Sequence, residues 1–314
     1  MKRIDLVNRL KSLNSALIFC HARPDGDTLS SAFSLKTAFE KCGKKADVVC
    51  ADPIPEKYKN CGFIGEFSSG SDEYDAHIAV DCASENMIGE LYSKFASHKE
   101  TYCIDHHVSN TRYAKHSYVA CECANAVNVY DIIVDLGVEI DEKLANTIYL
   151  GICTDSGNFS QSNTDAKALF VASKLAEAGA NPAQIYNAMF KCQSVARAKL
   201  YGEIIGKIKF FHDDRLGLIV TRLADLEKYG VDKSVTEGFV DFPLTVGKVE
   251  VAVSIVESGD KCFKISFRSK KDVDVNAVAA TFGGGGHVRA SGAMLNGYLE
   301  DVIDKIVFTV GNYL

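Results

Sequence analysis

Four places in the chain gather carboxylates and imidazoles at spacings that suit divalent cations. HARPDGD offers His21, Asp25 and Asp27. Asp81 closes HIAVD; Asp105, His106 and His107 stand together in TYCIDHHVSN; and Asp155 lies in GICTDSGNF, after the apolar stretch LANTIYLG. Acids gathered at one edge raise each other's pKa by repulsion, and cations resolve that conflict. A mixed set of carboxylates and imidazoles suits Mn²⁺, Mg²⁺ or Fe²⁺ and lacks the soft thiolates of structural zinc. The candidates exceed what one ion needs. Two metals sharing a bridging carboxylate is therefore the economical reading, and such pairs clamp in-line phosphoryl displacement. Taken singly, each signal is weak, since a lone Asp at a strand end is ordinarily a helix cap or turn residue. The weight comes from four recurrences in comparable positions.

A second kind of signal lies near the C-terminus. FGGGGHVRASGA puts Gly283, Gly284, Gly285 and Gly286 directly before His287. Such a run lets backbone N–H groups approach an anion closely, although a flexible loop has the same composition. Upstream, FRSKK places Arg268, Lys270 and Lys271 at a strand end, with Arg268 and Lys270 on one face. Arg268 has the geometry to hold a phosphate bidentately, and a solvated edge-strand charge is the alternative.

The elements that must position these residues can be read from the apolar pattern. ALIFC (16–20), ADVVCAD (46–52), HIAVD (77–81) and TYCID (101–105) are short apolar runs that alternate with helical stretches. That pattern predicts an α/β fold: a parallel sheet with helices on both faces and ligands bound beyond the carboxyl ends of its strands. MKRIDLVNRLKSLNS reads as an amphipathic helix, and Asn181-Pro182 as a helix start. After about residue 206 the strands KIKFF, LGLIVTRL, EVAVSIVE and CFKISFRS, with a helix at VNAVAATF, predict a smaller α+β domain. The expected division is a metal-binding domain over 1–190, a helical linker over 191–206 and a C-terminal substrate-binding domain over 207–314.

Composition narrows the partners. The 314 residues are 47% apolar and 24% charged, with a net charge of −6. Residues 1–190 hold 18 Lys+Arg against 25 Asp+Glu, and residues 191–314 hold 17 against 16. Long polyanions call for a basic surface, so a small phosphorylated substrate suits this balance better than long duplex nucleic acid. No apolar run is long enough for a membrane span, and the N-terminal helix lacks the unbroken apolar core of a signal peptide. Eleven cysteines without a CxxC pair read as mostly buried free thiols. A cytoplasmic protein is expected. Oligomeric state is open, a homodimer included.

Together these residues resemble the DHH phosphoesterase superfamily, named for the Asp-His-His found here at 105–107. HARPDGD, VDCAS, IDHHVSN and GICTDSGNF resemble its four motifs in order, and GGGGH with the upstream FRS resembles its C-terminal substrate-binding domain. The chain looks most like the bacterial nanoRNase/pAp-phosphatase family. By that resemblance His21 and Asp25 would hold one Mn²⁺, and Asp27, His106 and Asp155 a second, with Asp81 bridging. His107 would lie beside the scissile phosphate, with Asp105 orienting its neighbours. Arg268, Gly283–Gly286 and His287 would hold the terminal phosphate or nucleotide. The implied activity is hydrolysis of short oligoribonucleotides, removal of the 3′-phosphate of pAp, or both.

Two departures stand out. Ser30 replaces a glycine of the first motif, and CANAVNV (123–129), with Asn125 and Asn128, replaces a Ser/Thr-rich segment ending in Glu. Both are expected on the substrate side of the site, where they bear on preference. Hydrolysis of linear or cyclic dinucleotide messengers is the alternative that uses the same site. A RecJ-like single-strand exonuclease would be longer and need a track for the strand. RSKK superficially resembles a family II pyrophosphatase motif, but its order differs and GGGGH belongs to the other C-terminal type. A nucleotide-binding regulator is disfavoured, since every expected ligand position is filled.

Overall fold

The computed structural model describes residues 1–59, 61–270 and 272–314, which form two compact units, Met1–Cys192 and Gln193–Leu314. In the first unit, α1 (Arg3–Ser12), β1 (Ser15–Phe19), α2 (Gly26–Lys41), β2 (Lys45–Val49) and the short α3 (Glu56–Lys59) come first. They are followed by β3 (Ala76–Val80), α4 (Glu85–Ile88), α5 (Tyr92–Ala96), β4 (Thr101–Asp105) and β5 (His116–Val119). Four helices complete it: α6 (Asn125–Leu136), α7 (Glu142–Asp155), α8 (Ala166–Glu177) and α9 (Pro182–Phe190).

The five strands are all parallel, in the order β2-β1-β3-β4-β5. Alternate residues serve opposite faces, as strand geometry requires. Ala16, Ile18, Val48, Ile78 and Ile104 join a core built with α1, α2 and α6–α9, while Leu17, Phe19, Ala79 and Cys103 join Ile88 and Phe95 on the other face. The fourfold strand reading holds. β5 was not foreseen, because its four residues include two that are half-exposed and give no apolar run. The chain leaves β1 outward to β2 and returns across it to β3, so the sheet switches direction between β1 and β3. Ligands of open α/β sheets bind at such a point. Asn181 caps α9 by accepting from Gln184 N at 3.0 Å, with Pro182 as the first helical residue.

The second unit contains α10 (Val195–Gly206), β6 (Lys209–Phe211), β7 (Leu216–Thr221), α11 (Leu223–Tyr229), β8 (Val251–Gly259) and β9 (Cys262–Ser269). It ends with α12 (Val275–Ala280), β10 (Gly285–His287), β11 (Ala290–Asn296) and α13 (Leu299–Gly311). Its sheet runs β10-β11-β9-β8-β7-β6, with only β7 and β8 parallel. The stretch 191–206, read as a linker, contains α10, whose Leu200 and Ile204 pack on Ile219, Leu226 and Phe239 of the second unit. All eleven cysteines are free thiols, six of them buried. Among the described residues no helix is long and apolar enough to cross a membrane.

Candidate metal centre

The ends of β1, β3 and β4 and the helices α2 and α7 bring the candidate residues of the first unit together. His21 follows β1, and its Nδ1–H donates to Ala22 O at 2.8 Å. That leaves Nε2 facing Asp25 Oδ1 at 3.5 Å and Asp81 Oδ2 at 3.7 Å. His106, just beyond β4, repeats the arrangement: Nδ1–H donates to Glu122 O at 3.0 Å, and Nε2 lies 3.3 Å from Asp81 Oδ1, 3.9 Å from Asp27 Oδ2 and 4.0 Å from Asp155 Oδ2. A backbone carbonyl only accepts, so both Nε2 atoms are free to coordinate. Metal-ligating imidazoles commonly use their second nitrogen this way.

The carboxylates are held as firmly. Asp25 caps α2, its Oδ1 accepting from Asp27 N at 3.0 Å and Thr28 N at 3.1 Å. Asp27, 1% exposed, reaches across to the start of α6 and accepts from Asn125 N at 2.6 Å and Ala126 N at 2.8 Å. Helix N-termini favour negative charge, so this contact both caps α6 and aims Asp27. Thr28 ties the first two loops together, accepting from His21 N and donating to Val80 O. Asp81, 2% exposed, takes a left-handed backbone conformation (φ 57°), and its Oδ1 accepts no hydrogen bond. Its nearest polar neighbours are the rings of His106 and His107, at 3.3 and 3.7 Å, and a buried carboxylate oxygen without a well-aligned donor is costly unless a cation meets it.

Asp105, at the end of β4, is fully buried. It accepts from His107 Nδ1 at 2.8 Å and from Asn110 Nδ2 at 2.6 Å, so it orients His107 rather than joining the ligand cluster. His107 Nδ1 lies 3.7 Å from Asp81 Oδ1. Among the described residues, potential ligand atoms come within 4.8 Å of one another in three groups: His21–Asp25–Asp81, Asp27–His106–Asp155 and Asp81–His106–His107. Asp81 and His106 each belong to two groups. The donor chemistry and the orphaned Asp81 oxygen both fit a pair of divalent cations.

Electrostatics in the metal-free protein says the same. Burial, and then the Asp81 and Asp155 charges, push Asp27 well above the usual carboxylate range. Burial likewise raises Asp81, against the pull of His106. Asp155 rises to about 6, through burial and the Asp81 and Asp25 charges, with His106 opposing. Burial opposes protonation of His21 and His106, yet the carboxylates around them prevail and lift them to about 9 and about 10. Without cations, protons neutralise the cluster.

The expected anion-binding residues lie in the second unit. β9, β11 and β10 are neighbours, and their registers align Arg268 with Ala290 and Ala290 with His287. Arg268 and His287 therefore share a sheet face two strands apart, about 10 Å. The glycines do more than loop. Gly285 and Gly286 pair with β11, and a Cβ on Gly284 would fall 2.1 Å from Gly292 O. Arg268 is partly engaged, with Nε 3.6 Å from Asp241 Oδ1. Lys270 is consumed by the carbonyls of Leu244 and Val246, and Lys271 lies outside the described residues.

Residues 15–152 match the family model for the DHH family, N-terminal domain, and residues 216–314 that for the DHHA1 domain. The bifunctional oligoribonuclease and PAP phosphatase NrnA of Thermus thermophilus is 30% identical over 304 residues, spanning 93% of this chain and 88% of that one. The chain is a nanoRNase-like member of the DHH superfamily. NrnA of Bacillus subtilis is 24% identical across 97% of this DHH protein and 96% of its own length. An exopolyphosphatase-related protein of Bacteroides fragilis shares the fold, with a TM-score of 0.91 at 24% identity over 99% of this chain and 96% of that one. Phosphoester hydrolysis is the activity of this DHH phosphoesterase, and its superfamily uses divalent metals.

One expectation about this DHH phosphoesterase is corrected. Ser30, Asn125 and Asn128 are not on the substrate side; all three are fully buried. Ser30 donates to Thr147 O, Asn125 to Ser31, and Asn128 to Ala120 O and Asp105 O. They pack the helices that carry the site. Sequence reasoning also assigned no role to Asn110, whose side chain braces Asp105, nor to Lys57 and Phe190, which line the cavity beside Asp25, Asp27 and Asp155. Asn110 had a signal in IDHHVSN; Lys57 and Phe190 had none.

Proposed function

We propose that the protein is a two-metal phosphoesterase, with Mn²⁺ as the preferred ion, acting in the cytoplasm on short oligoribonucleotides and on pAp. The convergence of His21, Asp25, Asp27, Asp81, His106 and Asp155, with an unpartnered oxygen on Asp81, carries this reading. The names of its relatives from Thermus and Bacillus support the substrate class. His21 and Asp25 would hold one cation and Asp27, His106 and Asp155 the other, with Asp81 between them. Bound there, the cations would supply Lewis-acid polarisation of the phosphoryl group and a nucleophile at neutral pH.

The chain's own residues do the rest. Asp105 fixes the His107 ring through Nδ1, leaving Nε2 without a partner among the described residues. As an imidazolium, His107 can donate from Nε2 to a phosphoryl or leaving oxygen. Arg268, the Gly283–Gly286 backbone and His287 would hold the substrate's distal phosphate or nucleotide. The neutral charge of this second part of the chain suits a short substrate.

The test is a Mn²⁺-supplemented hydrolysis assay with pAp, 5′-phosphorylated diribonucleotides, a long RNA strand and pyrophosphate, using Asp81→Asn as blank. Rapid turnover of pAp and the dinucleotides alone is expected. Preference for the long strand would replace this reading with an exonuclease. Silence on all four would refute the substrate class.

A further inference from the structure

The cleft beside the carboxylate cluster belongs entirely to the first unit. It is lined by Asp25, Asp27, Thr154 and Asp155 on the chemical side, by Lys57 and Tyr58 of α3, and by Met189 and Phe190 at the end of α9. Its volume is about 150 Å³ and it opens to solvent, so it is sized to receive one end of a ligand rather than to enclose a whole one. Every charged group lining it is a carboxylate except Lys57.

Lys57 is exposed, and its ammonium makes no hydrogen bond or ion pair among the described residues. It sits over the ring of Tyr58, 4.9 Å from nitrogen to centroid. Tyr58 is buried in the core shared with Ile185 of α9, which anchors α3 and so fixes where Lys57 emerges. Neighbouring lysines behave otherwise: Lys59 pairs with Glu56, and Lys36 with Glu40 and Asp47. At the mouth of an acidic cleft this cation rests on the Tyr58 ring and is left without a carboxylate partner among the described residues. It is suited to a polyanion whose second charged group reaches beyond the metals.

Phe190 is the aromatic counterpart. It is 38% exposed, and its ring stacks on Tyr186 at 5.4 Å with an interplanar angle of 28°. That stacking holds one face of the ring, and the cleft lining leaves another surface open. Met189 beside it packs back into the core. An exposed, braced aromatic next to a free cation is the pairing that receives a nucleobase and a phosphate: base stacking tolerates any base, and the ammonium fixes the backbone.

We propose that Lys57 and Phe190 form a nucleotide subsite on the first unit, the ammonium holding a phosphate that is not cleaved and the ring stacking on the adjacent base. The subsite deepens the phosphoesterase reading and rests on it. It makes Lys57 a specificity residue for substrates with a second phosphate, and leaves the nucleotide on the other side of the scissile bond to Arg268 and the glycine-rich hairpin.

The experiment compares wild type, Lys57→Ala, Lys57→Arg and Phe190→Ala. Both positions are exposed, so the variants should fold and bind metal like wild type, which metal analysis checks. kcat/KM is measured in Mn²⁺ for a 5′-phosphorylated diribonucleotide and its unphosphorylated counterpart. Binding of adenosine 3′,5′-bisphosphate and of adenosine 3′-monophosphate is measured calorimetrically on Ca²⁺-loaded protein. Lys57→Ala should lose about ten-fold on the phosphorylated dinucleotide through KM, leave the unphosphorylated one unchanged, and abolish the preference for the bisphosphate; Lys57→Arg should restore both. Phe190→Ala should weaken both nucleotides by about ten-fold. Equal effects of Lys57→Ala on both members of each pair, or effects below two-fold in both variants, would overturn the subsite. A wild type that hydrolyses neither dinucleotide yet loses bisphosphate preference in Lys57→Ala would refute the phosphoesterase substrate and keep the subsite.

Discussion

Replacing Gly151 with Ala should damage the metal centre from inside the helix packing. α2 and α7 approach closely at two points. A Cβ on Gly26 would fall 2.3 Å from Thr154 Oγ1, and one on Gly151 would fall 2.6 Å from Ser30 Oγ and 2.7 Å from Ala126 Cβ. Ordinary carbon contacts lie near 3.5–4.0 Å, so a methyl at 151 requires a displacement of about 1 Å. Ser30 cannot simply rotate away without losing its hydrogen bond to Thr147 O, and Ala126 is fixed in α6. Overpacking of this kind costs about 1–3 kcal/mol. For a unit of this size, about 2 kcal/mol corresponds to a fall in Tm of about 4–8 °C.

The displacement also reaches the chemistry. Asp155 is four residues after Gly151 on α7, and Asp27 three residues before Ser30 on α2, so both candidate ligands ride on the faces being pushed apart. A misplacement of about 1 Å near reacting groups can cost about a hundred-fold in rate. The assays are thermal unfolding, Mn²⁺ titration and hydrolysis of a 5′-phosphorylated dinucleotide. In a Ser30→Gly background the Gly151→Ala penalty should shrink by about 1 kcal/mol, because the clashing side chain is gone. Gly151→Ala with wild-type Tm and activity, or a penalty unchanged by Ser30→Gly, would refute the packing argument.

Further outcomes follow from the same geometry. Asp81→Asn should fold normally, since Asn tolerates the left-handed backbone at this position, yet turn over no substrate in the hydrolysis assay. Asn110→Ala should cost about 1–3 kcal/mol in a denaturant titration by leaving Asp105 Oδ2 unpartnered, and lower kcat more than it raises KM. Arg268→Ala should chiefly raise KM; an unchanged KM would place the phosphate contacts elsewhere. The metal-free protein should lose thermal stability as pH rises from 5 to 10. Asp155 is raised to about 6, and His21 and His106 to about 9 and about 10, so the folded state binds more protons than the unfolded one, and that stability fades as each group loses its proton. Metal loading at pH 7 should therefore release protons, visible as a buffer-dependent heat of binding.

Much of the site was legible because its residues sit where the sheet ends, and strand ends are visible as the close of an apolar run. HIAVD and TYCID each deliver their acid at that edge. What the sequence hid was orientation. Ser30, Asn125 and Asn128 are small polar residues near helix starts, and nothing local tells whether such a side chain turns toward a cleft or toward a neighbouring helix. Gly151 opposite Ser30 supplies the reason for burial, but the two are 121 positions apart and meet only in the fold. The glycine run was read for its freedom near an anion. Gly284 and Gly286 are also forced by the hairpin, where a side chain would strike the carbonyls of Gly292 and Ala290. Lys57 and Phe190 lie 133 positions apart in segments without periodicity, so only the cleft reveals them together.

Whether a pair of cations shares Asp81 is tested directly by a Mn²⁺ titration of metal-free protein followed by electron paramagnetic resonance. Two ions per chain with a spin-coupled signal are expected, and Asp81→Asn should abolish the coupling. A single uncoupled ion in the wild type, or coupling that survives in Asp81→Asn, would contradict the account.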